Sequence, residues 1–161
     1  MALAALALNP VQHAALASPR KRVVVVDDSL TILHAICSLL EHQDIFEVVG
    51  RAESGPETIE AVTNLHPDVV MMDADMPGMS GLRTALLLSQ TSPTTKVVLM
   101  SMDATSQFRR ACAGCGAYAL IYKPKFLSEL VRVLENGGPQ DWKKSFPRAR
   151  RKTSRPVSIM R

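Results

Sequence analysis

From residue 23 onward, short aliphatic runs alternate with longer segments of helical spacing. The runs fall at 23–26, 46–50, 69–73, 96–101 and 117–122, and are rich in Val, Ile, Leu and Met. Between them, apolar positions recur at helical intervals over about 29–41, 55–65, 80–90, 105–115 and 126–136. Near-continuous apolar runs mark strands covered on both faces, which calls for a parallel sheet joined by crossover helices. Five strands and five helices in strict alternation within about 115 residues predict an α/β fold, a doubly wound five-stranded parallel sheet. Ser54-Gly55-Pro56-Glu57 reads as a capping box with proline in the first helical turn.

The strand ends carry the chemistry. Val23 to Val26 is followed by Asp27-Asp28, and Val69 to Met72 by Asp73, Ala74, Asp75, Met76, Pro77 and Gly78. In an open parallel sheet, ligands gather at the carboxyl ends of the strands. Carboxylates converging there repel one another unless a cation holds them, so the pattern proposes a pocket for a hard metal. The run Val97 to Met100 ends in Ser101, and the run 117–122 ends in Lys123-Pro124. Acids to hold Mg²⁺, one of them free to attack phosphorus, with a hydroxyl and an amine to receive phosphoryl oxygens, make a complete set.

With VVVVDDS, VVMMDADMPGMSG, VVLMS and GAYALIYKP in this order, the chain resembles the receiver domain of bacterial two-component response regulators. FEVVGRAESGPETIEAV and HPDVVMMD are most similar to receivers that precede LuxR-type DNA-binding domains. The resemblance implies a flavodoxin-like (βα)5 fold over residues 22–137, with Asp73 as phosphoacceptor for a sensor histidine kinase or phosphotransfer protein. It implies that Asp28 and Asp73 ligate Mg²⁺ directly, Asp27 through water, and Asp75 through its backbone carbonyl. Lys123 would pair with a phosphoryl oxygen, Pro124 would follow a cis peptide, and Ser101 would swing to hydrogen-bond the phosphoryl group. A downstream protein would bind the face built from helix 4, strand 5 and helix 5. Such a receiver is a signalling protein, not an enzyme beyond slow self-dephosphorylation. The chain departs from the family at Leu120, where Tyr or Phe is usual, and at Met102, where a small residue is usual and a methionine would crowd the phosphoryl site. Tyr118, Leu120 and Tyr122 are expected to project to one side of the last strand, which makes either ring a candidate substitute.

Charge refines the picture. The net +4 is carried by the ends: residues 1–22 hold +3 and residues 139–161 hold +7, while residues 23–138 carry −6. The expected body is therefore acidic, and a nucleic-acid reading survives only for the tail. Residues 1–21 read as a flexible extension. A secretory signal is disfavoured, because no basic residue precedes MALAALAL and Asn9-Pro10 cuts it short. Residues 138–161, with three prolines and eight basic side chains, read as a disordered tail. Its Trp142-Lys143-Lys144-Ser145-Phe146 interleaves bases with aromatics. The alternative function is thus a DNA-binding transcription regulator, truncated or acting through this tail. Asp73-Ala74-Asp75 also resembles the first motif of haloacid-dehalogenase-type phosphatases, but that reading leaves Asp27-Asp28 unexplained. Three cysteines imply a reducing compartment, and Cys112-Ala113-Gly114-Cys115 sits at a helix's C-terminal end, where thiols are not activated. No apolar stretch approaches the roughly 20 residues that span a bilayer, so no membrane partner and a cytoplasmic site are expected.

Overall fold

The computed structural model describes residues 20–103 and 105–135. Nearly all of the expected extension, and the whole tail with Trp142 and Phe146, lie outside them. Five strands, β1 (Lys21–Val26), β2 (Phe46–Ala52), β3 (Val69–Asp73), β4 (Lys96–Ser101) and β5 (Ala119–Tyr122), alternate with five helices. The helices are α1 (Leu30–Glu41), α2 (Gly55–Leu65), α3 (Gly81–Thr91), α4 (Ser106–Gly114) and α5 (Phe126–Glu135). The strands form one parallel sheet in the order β2-β1-β3-β4-β5. The doubly wound α/β architecture expected from the alternation is the one observed.

Side-chain alternation along the central strands divides the core in two. Val23, Val25, Met71, Val98, Met100 and Ile121 pack beneath α1 and α5. Val24, Val26, Val70, Met72, Val97 and Leu99 pack beneath α2, α3 and α4. Burial on both faces is why these strands read as unbroken apolar runs. Asp68 N–H and Lys96 N–H tie the strand entrances together through Arg22 O and Asp68 O, at 2.9 Å each.

Several local details differ from expectation. Ser54 Oγ accepts from Glu57 N–H at 3.5 Å, but Glu57 Oε2 accepts from Glu53 N–H at 2.9 Å, one residue before the expected cap. β5 begins at Ala119 and not at 117, because the chain turns at Gly116, whose φ of 82° is left-handed. Tyr118 consequently lies outside the strand and packs with the Val23 cluster, whereas Leu120 packs with the Val24 cluster on the other face. The expected common side of Tyr118 and Leu120 is therefore incorrect, since strand alternation does not extend back to residue 118. Among the described residues no peptide bond is cis, so the cis bond expected before Pro124 is also corrected. Lys123–Lys125 instead forms a 3-10 turn, with proline in its first positions, that runs directly into α5.

Candidate functional site

β1 and β3 are neighbours at the point where the sheet order reverses, so the acids that end them are delivered side by side. Val26 pairs in register with Met72, placing Asp27 and Asp73 at adjacent strand ends. Asp27 and Asp73 are buried and Asp28 is exposed. Each of the three offers a carboxylate oxygen, and these oxygens lie within 4.8 Å of one another.

Lys123 reaches this cluster from the end of β5. Its Nζ donates to Asp27 Oδ2 at 2.7 Å and pairs with Asp73 Oδ1 at 3.2 Å. Asp27 Oδ1 in turn accepts from Ser29 N–H at 3.0 Å, so both Asp27 oxygens are engaged before any ligand is considered. Burial pushes the Asp73 carboxyl above its ordinary value, and Lys123 only partly offsets this because Asp27 adds a like charge. Burial opposes the charge on Lys123 as well. There the hydrogen bond to Asp27 and the charges of Asp73 and Asp27 prevail, and its pKa rises.

Ser101 is fully buried at the end of β4. Asp73 lies opposite Met100 in register, and Ala74 N–H donates to Met100 O at 2.8 Å, which fixes the β3 end against the β4 end. Ser101 Oγ donates to Asp75 Oδ2 at 3.3 Å and accepts from Asp103 N–H at 2.9 Å. The structure thus gathers Asp27, Asp28, Asp73, Ser101 and Lys123 at one end of the sheet. The Asp75 side chain stands apart from the clustered carboxylates and engages Ser101. Met102 is 65% exposed and turned to solvent, so the crowding expected of it is not observed.

Two features escaped the sequence reading. Gly81, the first residue of α3, lies so close to β3 that a Cβ there would press on Asp73 O and Ala74 Cα. Its only sequence signal is the Ser-Gly step closing PGMSG. The second is the Asp75–Ser101 bond, which joins positions 26 residues apart and has no local signature.

The donor set suits Mg²⁺, being hard carboxylate oxygens. A cavity of about 220 Å³ lined by Phe46, Met71, Val98 and Leu130 contains none of these acids. Cys112 and Cys115 are buried, and burial first, then the neighbouring Cys115, pushes the Cys112 thiol up to about 12. They are core residues, as their place at a helix end suggested.

Acids on two adjacent strand ends, bridged by a lysine from a third and faced by a strand-end hydroxyl, agree with what sequence comparison finds. The model of the response regulator receiver domain family matches residues 23–135. The chain belongs to this family. The receiver match supports a part in phosphorelay signal transduction. Among curated relatives, the response regulator GacA of Pseudomonas viridiflava is 35% identical over 113 residues, 70% of this chain and 53% of that one. A protein-glutamate methylesterase/protein-glutamine glutaminase of Syntrophomonas wolfei is 39% identical over 108 residues, covering 66% of this chain and 30% of the relative. The chain therefore spans about half the length of the first relative and less than a third of the second.

Solved receivers share the fold. The receiver domain of the putative response regulator NarL from Mycobacterium tuberculosis superposes with a TM-score of 0.69 at 27% identity, covering 74% of this chain and 97% of that one. The response regulator domain of CheB from Thermotoga maritima gives 0.65 at 28% identity, with 73% and 93% covered. Receivers of this family bind Mg²⁺ in an acidic pocket and work with histidine kinases or phosphotransfer proteins and with downstream effectors. Among the described residues, no helix is long and apolar enough to cross a membrane.

Proposed function

We propose that Asp73 is the phosphoacceptor of this receiver, taking its phosphoryl group from a phosphohistidine on a sensor kinase or phosphotransfer protein. A carboxylate oxygen of Asp73 attacks phosphorus, the P–N bond breaks with its electron pair passing to the imidazole, and an acyl phosphate forms. The observation that carries this reading is Lys123 Nζ, held between Asp27 Oδ2 and Asp73 Oδ1. It presents a cation where negative charge develops on the phosphoryl oxygens.

Asp28 and Asp73 would hold Mg²⁺ directly through their carboxylates, and Asp75 would hold it through its backbone carbonyl. Asp27 acts through water, which accords with its two oxygens already accepting from Ser29 N–H and Lys123 Nζ. When bound, Mg²⁺ neutralises charge between the carboxylates and the incoming phosphoryl group. Lys123 then moves from Asp73 Oδ1 to a phosphoryl oxygen, and Ser101 donates to another. The face of α4, β5 and α5 transmits the change to a downstream protein. The chain acts as a signalling protein whose own chemistry is limited to gaining and slowly losing phosphate. Its buried free thiols accord with a reducing cytoplasm.

Incubation with acetyl phosphate and Mg²⁺ tests the reading. Wild type is expected to gain the mass of one phosphoryl group, and Asp73→Asn to gain none. Identical mass spectra for the two proteins would refute the assignment.

A further inference from the structure

The Ser101 hydroxyl is occupied before any phosphoryl group arrives. It is fully buried, it donates to Asp75 Oδ2 at 3.3 Å, and it accepts from Asp103 N–H at 2.9 Å. A hydroxyl has one proton to donate. That proton cannot point at Asp75 and at a phosphoryl oxygen on Asp73 together. Asp75 is exposed and lies two residues after Asp73 in the chain. Residue 75 therefore adjoins the phosphoacceptor along the chain and engages the hydroxyl with its side chain.

We propose that the Asp75 carboxylate is a positioning residue that restrains Ser101, so that phosphorylation must break the Ser101–Asp75 bond before the hydroxyl can respond. The inference rests on the reading of Asp73 as phosphoacceptor. A phosphoryl group carries about −1.5 to −2 charge, so it competes for the Ser101 proton and also repels the Asp75 carboxylate. Because Asp75 is exposed, water solvates it once released, and the restraint is reversible. Its strength sets how much of the phosphoryl group's attraction for Ser101 is spent on release.

A double-mutant cycle separates this restraint from simple charge repulsion. The affinity for beryllofluoride in the presence of Mg²⁺ is measured for wild type, Asp75→Ala, Ser101→Ala and the double variant. Asp75→Ala is expected to tighten binding about fivefold when Ser101 is present, the size of one hydrogen bond, and hardly at all in the Ser101→Ala background. Equal tightening in both backgrounds would show that Asp75 acts only as a repelling charge, and no tightening would show that it restrains nothing. Either result overturns the proposal. The Asp103 amide resonance, read without Mg²⁺ or beryllofluoride, reports the same contact because that N–H donates to Ser101 Oγ. It is expected to shift in Asp75→Ala and to shift far less when Ser101 is also removed; equal shifts would overturn the restraint. Failure of wild type to bind beryllofluoride would instead sink the phosphoacceptor reading, and the amide comparison would still decide whether Asp75 holds Ser101.

Discussion

Asp73 and Lys123 form one ion pair, and both of their pKa values are raised, for different reasons. Two carboxylates serve one ammonium, so the lysine keeps its proton more firmly. Asp73 loses more to burial, with added repulsion from Asp27, than its share of the lysine returns. The two directions agree on an excess of negative charge in a partly dry site, and that excess is what invites a metal. For an acid with a raised pKa, the folded state binds more protons than the unfolded one between the two values, so stability falls as pH rises through that window. Without Mg²⁺, Asp73→Asn is therefore expected to be more stable than wild type at neutral pH. The gap should narrow as pH falls from the raised value towards the ordinary carboxylate value of about 3.9, and change no further below it. Chemical denaturation across that range checks it; a gap independent of pH would contradict the sign. Asp27, Asp28, Asp73, Ser101 and Lys123 could be picked out as candidates because each ends or follows a strand. The Asp75–Ser101 contact could not, because a side-chain bond between a loop and a distant strand end leaves no periodic trace.

The crossing of β3 into α3 shows how an element holds a reactive side chain in place. Ser80 caps α3, its Oγ accepting from Arg83 N–H at 3.4 Å, while Gly81 N–H donates to Ala74 O at 3.0 Å. The helix start is thereby drawn onto the backbone of Asp73, and Gly81 is there because any Cβ would meet Asp73 O. Gly81→Ala should force β3 and α3 apart, at a cost of about 1–3 kcal/mol in unfolding free energy. The same displacement should slow the reaction of Asp73 with acetyl phosphate. Unfolding curves and phosphorylation rates measured together decide the point; a variant with normal stability and normal rate would show that the close approach is relaxed in solution. The boundaries of β3 and β4 were readable from the aliphatic runs that form them. That of β5 was not, because Tyr118 looks like strand but follows the left-handed turn at Gly116. The turn changes the side to which Tyr118 packs, so that ring does not stand in for the usual Tyr or Phe on Leu120's face.

Across the molecule, stability and ligation are coupled through the acidic end of the sheet. A metal that binds only the folded chain stabilises it by mass action, by about 2.7 kcal/mol at a hundredfold excess over Kd. Mg²⁺ is therefore expected to raise the Tm of wild type by about 10 °C at such an excess. Asp28→Asn, which removes the exposed member of the cluster, should lose most of that rise. An undiminished rise in the variant would place the metal elsewhere. The alternation of apolar runs and helical segments was sufficient for the doubly wound sheet, because burial on both faces of a parallel strand forces that pattern on the residues themselves. The acids, hydroxyl and lysine were legible for a related reason, since a strand's end is visible as the end of its apolar run. Which oxygens meet was not written locally. It depends on the strand order, which sets Asp27 beside Asp73, and on the turn after β5, which brings Lys123 between them. Residues 26 and 96 positions apart in the chain come within hydrogen-bonding distance only when the sheet closes over its two cores. Pattern is a property of neighbours along the chain, whereas charge balance and competition for a proton belong to neighbours in space.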